Sequence, residues 1–162
     1  MNEALTEARV LQPPASVAST ATTTCMFDTI GYDFAVIDVL SGTQATTDAA
    51  ITTITLKESD DTVATNFAAI TAFTGAAATS TSAGFAIPAV TVTGNGAGIH
   101  LQVDLRKRKR YLQLNMTPGT TLVMGAEIHL SRPEQAALTA AQKSVVNKSA
   151  TNVTSVAVIV AG

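Results

Sequence analysis

Apolar and polar residues alternate with a period of two in three stretches of the second half of the chain. The stretches cover residues 99–105, 112–116 and 122–130. Successive side chains of a strand point to opposite faces, so this alternation predicts three half-buried strands. Between the last two, the segment Thr117-Pro118-Gly119-Thr120 has the proline and glycine of a tight turn.

The first half of the chain predicts further strands. Residues 26–41 are apolar on both faces after Phe34, which favours a central or sandwiched strand. Residues 50–58 alternate again, and the acidic segment that follows them is typical of a turn. Residues 85–93 contain Pro88, which is typical of an edge strand.

The two ends of the chain have weaker patterns. Residues 1–24 contain two adjacent prolines and then mostly alanine, serine and threonine, so we expect an extended N-terminal arm outside the core. Residues 25–132 are assigned to the β-domain. Residues 133–162 are assigned to a C-terminal extension with a short helix at 133–145, since Pro133 is tolerated in a first helical turn, and a last strand at 153–160.

Composition supports an all-β fold. The 162 residues are rich in threonine and serine, and the charged residues that usually cover helix surfaces make up only 14%. We therefore predict an antiparallel β-sandwich or barrel-like domain with an extended N-terminal arm and a C-terminal extension. The net charge of −2 is small, and so few charges are typical either of a hydrated threonine and serine surface or of a surface covered by other subunits.

The candidate chemistry is sparse. His100 and His129 fall on the polar faces of two predicted strands, with Asp104 and Glu127 nearby, but no close metal-ligand spacing exists, so we predict solvated or interface histidines and no metal. The single cysteine excludes an internal disulfide. We find no nucleophile elbow, phosphate loop or dinucleotide fingerprint, and we predict no catalytic residues, no cofactor and no enzymatic activity.

The basic run Arg106-Lys107-Arg108-Lys109-Arg110 holds five of the ten basic residues in the chain. Three interpretations are open: it docks on an acidic surface of a neighbouring subunit, it forms a solvated rim that deters edge pairing, or it contacts phosphates. Tyr111 is the one aromatic beside it that offers stacking, which does not favour nucleic acid. No apolar run reaches the length of a membrane span, so we expect no membrane partner.

The apolar tail at residues 156–160 also calls for a partner, because an unpaired strand of this kind aggregates. It either folds back as the last strand of its own sheet or adds to a sheet of an adjacent copy. The candidate interface residues are Arg106, Lys107, Arg108, Lys109, Arg110, Tyr111, Val156, Val158 and Val160.

Three segments together carry a family resemblance. They are Leu56-Lys57-Glu58-Ser59-Asp60-Asp61, then the stretch 103–114 with the turn that follows it, and Leu130-Ser131-Arg132-Pro133-Glu134-Gln135-Ala136. Over residues 32–137 the chain resembles small structural proteins of tailed bacteriophages, of the head-decoration or auxiliary capsid type. The resemblance implies a β-sandwich or barrel-like domain that attaches to a shell or to neighbouring virion proteins.

The sequence therefore predicts a virion structural protein that is made in the bacterial host cytoplasm, binds the capsid exterior and reinforces subunit seams. Its expected partners are the major capsid protein and copies of itself in a homo-oligomer. One alternative is a tail or connector component. Another is a carbohydrate-binding β-sandwich module, but the chain has no tryptophan and only two tyrosines, Tyr32 and Tyr111, to form an aromatic platform.

Overall fold

The computed structural model describes residues 7–43, 51–77, 84–87, 96–133 and 156–158. These residues form strands joined by turns, with one short 3₁₀ helix at Ala64–Asn66, and the all-β prediction is confirmed. The strands in chain order are β1 (Glu7–Val17), β2 (Thr23–Asp28), β3 (Tyr32–Ser41), β4 (Ile51–Ser59), β5 (Ala68–Ala77), β6 (Phe85–Ile87), β7 (Gly98–Asp104), β8 (Tyr111–Pro118), β9 (Leu122–Pro133) and β10 (Val156–Val158).

The strands are arranged in two five-stranded sheets. The first sheet has the order β10-β1-β9-β3-β7, and the second has the order β2-β8-β4-β5-β6. All pairs are antiparallel except β5 with β6. In the part of the chain that the structure describes, no helix is long and apolar enough to cross a membrane.

The core lies between the two sheets and follows the period of two. Strand β8 alternates half-buried and fully buried residues, with Leu112, Leu114 and Met116 at zero exposure. From the first sheet, Ile37 and Ile128 join them in one apolar cluster. Each strand thus turns one row of side chains into the sandwich and leaves the other row on an outer face.

The prediction that residues 1–24 form an arm outside the core is wrong for residues 7–17. Residues 7–17 are strand β1, which lies between β10 and β9, and Ala8 and Val10 are fully buried. A bulge between Gln12 and Ala15 lets the strand pass the two prolines without losing its pairing with β9. The β-domain therefore begins well before residue 25.

The C-terminal extension is described only at residues 156–158. This segment is β10, and it pairs with β1 of the same chain, with Val156 opposite Val10 and Val158 opposite Ala8. Of the two interpretations of the tail, this is the one in which it completes its own sheet. Val160 and the predicted helix at 133–145, apart from Pro133 in β9, lie outside the described residues.

Candidate functional site

The basic run lies at one end of the sandwich, in the segment that crosses from β7 in the first sheet to β8 in the second. Four of its five side chains pair with carboxylates of the same chain. The pairs and their nitrogen–oxygen distances are Arg106–Asp104 (2.5 Å), Arg108–Glu58 (3.5 Å), Lys109–Asp60 (2.9 Å) and Arg110–Asp28 (2.7 Å).

These ion pairs neutralise most of the run within the molecule. The Arg106 guanidinium holds the pKa of Asp104 well below its usual range, chiefly through side-chain hydrogen bonds. Lys107 is exposed and makes no ion pair with a described residue. The run is therefore mostly neutralised by carboxylates of its own chain and is not an open cationic stripe, and its role at an interface stays a prediction.

The two tyrosines do not form an exposed aromatic platform. Tyr32 is buried, and its burial raises the pKa of the phenol. Tyr111 is half-buried, and the guanidinium of Arg110 lies 4.9 Å from its ring centroid. An arginine at this distance from the ring is in cation–π contact with it. Cys25 is also buried, which raises its thiol pKa to about 12 and leaves it a protonated core residue.

The outer face of the first sheet carries a network of charged side chains on β1 and β9. His129 Nδ1 lies 2.9 Å from Glu7 Oε1, and His129 Nε2 lies 3.1 Å from Glu127 Oε1. Arg9 donates to Glu7 at 2.9 Å and lies 3.5 Å from Glu127. An imidazolium at His129 donates to both carboxylates, whereas a neutral ring donates to only one. The network links β1 to the centre of the sheet.

The second histidine lies two strands away on the same face. His100 Nδ1 is 2.7 Å from Asp38 Oδ1, and its Nε2 is 3.0 Å from the side-chain nitrogen of Gln102. Strand β3 separates β7 from β9, so the two histidines are not neighbours. Asp104, which the sequence placed near them, pairs with Arg106. No group of metal ligands forms among the described residues.

Next to this network the outer face of the first sheet is open and apolar. A groove of about 610 Å³ runs between the bulge of β1 and the end of β3, with Glu127 at its polar end. We call it the β1–β3 groove, and its lining residues include Leu11, Pro13, Pro14, Leu40, Val123 and Gly125. The relative exposures of Leu40, Val123 and Leu11 are 63%, 48% and 42%.

These three side chains point to the outer face because each one alternates along its strand with residues that point into the core. Val123 lies between the buried residues Leu122 and Met124, and Leu40 follows buried Val39. The alternation that predicted the strands therefore also implied outward-facing aliphatic residues here. The groove itself could not be predicted from this alternation, because Leu11, Leu40 and Val123 lie on three strands that are far apart in the sequence.

The floor of the β1–β3 groove depends on a glycine. A Cβ atom on Gly125 would lie 2.9 Å from the carbonyl oxygen of Gln12 and 3.1 Å from the backbone of Pro14. Both contacts are with backbone atoms of the β1 bulge, so no side-chain rotation relieves them. The bulge can lie this close to β9 only because residue 125 has no side chain.

Gly125→Ala is therefore expected to destabilise the domain by about 1–3 kcal/mol through overpacking against β1. Gly98→Ala is the matched control, because a Cβ there meets nothing closer than 3.7 Å, the Cδ2 of Leu40. Urea unfolding followed by circular dichroism measures both variants. Equal midpoints for the two variants would contradict this packing.

Glu7 makes part of the stability dependent on pH. The hydrogen bond from His129 and, less strongly, Arg9 lower the pKa of Glu7 below its ordinary value of 4.5. A carboxyl whose folded-state pKa is lowered stabilises the fold above its unfolded-state pKa, and this contribution is lost as the pH falls through the folded-state value.

We expect the difference in unfolding free energy between wild type and Glu7→Gln to shrink as the pH falls below about 4.5, the ordinary pKa of a glutamate. Urea midpoints measured at intervals of pH test this. A difference that stays constant down to pH 3 would contradict the ionised network.

Comparisons with known proteins gave no match to a protein-family model and no match to a curated protein. Among solved structures, the chain is similar to a family GH115 4-O-methyl-alpha-glucuronidase with specificity for decorated arabinogalactans, at 12% identity and a TM-score of 0.39, over 74% of this chain and 14% of that chain. It is also similar to a protein of the empty particles of cowpea mosaic virus, at 11% identity and a TM-score of 0.40, over 83% of this chain and 91% of that chain. A third neighbour is a vertex protein of PRD1, at 10% identity and a TM-score of 0.43, over 80% of this chain and 98% of that chain.

The chain thus spans about one seventh of the length of the glucuronidase and most of the length of the two viral proteins. The neighbours include viral capsid and vertex proteins, but at these identities and TM-scores none of them carries an argument about function. The resemblance to phage decoration proteins stays a prediction.

Proposed function

We propose that this chain is a non-enzymatic structural protein of a tailed-bacteriophage virion, which attaches to the outside of the head shell through the outer face of the first sheet. The observation that carries the proposal is the β1–β3 groove. It exposes Leu40, Val123 and Leu11 together on one face of a chain whose net charge is only −2.

A clustered apolar surface supports an attachment role. Single exposed aliphatic residues are normal, but a contiguous group rimmed by polar residues is typical of an interaction site. Three of the four large hydrophobic side chains that are exposed among the described residues line this one groove, and the fourth is Val63. Covering these residues on binding removes apolar surface from water, which is the main favourable contribution to protein association.

We assign this surface to the phage head because the sequence resembles structural proteins of tailed-bacteriophage heads. In the proposed mechanism the protein adds buried area across the seams between copies of the major capsid protein, and copies of the chain associate on the shell. The protein is made in the bacterial host cytoplasm before it attaches. Buried Tyr32 and half-buried Tyr111 do not favour the carbohydrate-binding alternative, because sugar platforms need exposed rings.

Gradient sedimentation of a lysate from producing cells, probed with an antibody to this chain, tests the proposal. Co-migration with DNA-filled heads, including heads without tails, is the expected result. Co-migration only with tails or complete virions would place the protein in the tail or connector. A small species at the top of the gradient would overturn the virion assignment.

A further inference from the structure

We infer that the outer edge of strand β7 pairs with the same edge of a second copy of this chain, so that their first sheets join about a two-fold axis. Copies of the chain associate on the shell in the proposed function, and the inference rests on that proposal only for the place where they meet. The pairing itself follows from the described residues of β7.

Strand β7 ends the first sheet, and no strand among the described residues pairs with its outer side. It has seven residues and is the longest of the described strands that end a sheet, since β2 has six residues and β6 and β10 have three each. Its pairing with β3 covers all seven residues without a register shift. Strand β7 also contains no proline and no lysine, which commonly protect an exposed edge. Its outer edge is therefore a regular template for another strand.

Hydrogen bonds at both ends of β7 show which of its backbone groups face outward. Ser41 N donates to the carbonyl oxygen of Ala97 at 2.8 Å, and Leu105 N donates to the carbonyl oxygen of Asp33 at 2.9 Å. Both bonds continue the register in which β7 pairs with β3. In an antiparallel pair, alternate residues turn both their N–H and their C=O to the same neighbour, so the odd-numbered residues bond to β3. The residues that turn these groups to the outer edge are Gly98, His100, Gln102 and Asp104.

The sequence of β7 is complementary to itself when two copies run antiparallel about Leu101. In that register apolar residues of the inner row face apolar residues, no two like charges are opposed, and edge-facing residues face one another. The His100 side chain keeps its contacts with Asp38 and Gln102 of its own chain, since only backbone groups bond across the new edge. The facing pairs are Gly98 with Asp104, Ile99 with Val103, His100 with Gln102, and Leu101 with itself.

The symmetry of this pairing suits attachment to a shell. The two-fold axis that relates two identical antiparallel strands is perpendicular to their sheet, so both copies turn the outer face of the first sheet to the same side. Both β1–β3 grooves then meet one surface together. Seven residues from each copy make a small interface, so we expect weak self-association, with a Kd of about 100 µM, which close spacing of copies on the shell strengthens.

Sedimentation equilibrium of the purified full chain tests for the dimer. We expect the weight-average mass to rise toward that of a dimer between about 10 µM and about 1 mM protein, the range that brackets this Kd.

Hydrogen exchange of the ¹⁵N-labelled full chain, followed by NMR, locates the contact. The amides of His100 and Gln102 face the outer edge in a single copy and become bonded in the dimer. We expect their exchange to be about three- to fivefold slower at about 1 mM than at about 20 µM, because the fraction of monomer falls by that factor. The Met26 amide faces the outer edge of β2 by the same alternation, and its exchange is expected not to change.

Two variants at one position separate the backbone from the side chain. Gln102→Pro removes an N–H that points away from β3, and an edge strand accepts proline at such a position. We expect it to keep the circular dichroism spectrum of the wild type and to stay monomeric up to about 1 mM, well above the Kd expected for the wild type. Gln102→Ala is the matched control, because it keeps the N–H, and it is expected to associate like the wild type.

The inference is overturned if the chain stays monomeric at the highest concentration, or if it associates without slower exchange at His100 and Gln102. It is also overturned if folded Gln102→Pro associates as well as the wild type, and if that variant does not fold, the exchange result on the wild type decides. A monomer that co-migrates with heads in the gradient contradicts only this inference. A dimer that stays at the top of the gradient contradicts only the proposed function.

Discussion

Val10→Asp is expected to unfold the domain. Val10 has zero exposure, and its strand is paired on one side with Ile128 of β9 and on the other with Val156 of β10. An aspartate there places an unpaired carboxylate in the apolar core. We expect the free energy of unfolding to fall by more than about 4 kcal/mol, which is a large part of the stability of an ordinary domain.

The neighbouring residue provides a matched control. Leu11 lies on the outer face of the same strand and is 42% exposed, so Leu11→Asp is expected to change the unfolding free energy by less than about 1 kcal/mol. Circular dichroism and urea unfolding of the two variants measure the contrast. If Val10→Asp folded as well as Leu11→Asp, residues 7–17 would be an arm on the surface and β1 would not belong to the core.

The second large effect concerns attachment rather than folding. Leu40 is the most exposed of the groove side chains, and Leu40→Asp is expected to reduce attachment to heads by tenfold or more while the protein stays folded. A charge in the centre of an apolar contact has to be desolvated when the partner binds, and central apolar residues dominate interface energies. Occupancy on purified heads, measured by quantitative gel densitometry after adding back the variant protein, gives the result.

Val63→Asp is the control for this experiment, because Val63 is 53% exposed and lies outside the groove. It introduces the same charge on the same chain and is expected to attach like wild type. If both variants attached equally well, the outer face of the first sheet would not be the surface that meets the shell.

The strands were predictable where the alternation was long and regular. The stretches 112–116 and 122–130 become β8 and β9, with alternate residues fully buried as their pattern implies. Strand β1 was not predictable in this way, because Ala8 is small and the two prolines interrupt the pattern. Its place in the sheet depends on a bulge and on Gly125, which belongs to a strand more than a hundred residues away.

The ion-pair partners of the basic run could not be predicted from the sequence for a similar reason. Arg110 pairs with Asp28 and Arg108 with Glu58, residues that are 82 and 50 positions away along the chain. Strand β8 pairs with β2 on one side and with β4 on the other, and this pairing brings the two carboxylates to the same end of the sandwich as the basic run. The sequence of residues 106–110 therefore suggests a binding patch, whereas in the folded protein most of these charges are neutralised by ion pairs.

A cryo-electron microscopy reconstruction of DNA-filled heads from producing cells tests the central claim most directly. We expect density for this chain on the outside of the shell, with the face that carries Leu40, Val123 and Glu127 turned toward the major capsid protein. Heads without this density, or density in which that face points to solvent, would contradict the proposed attachment.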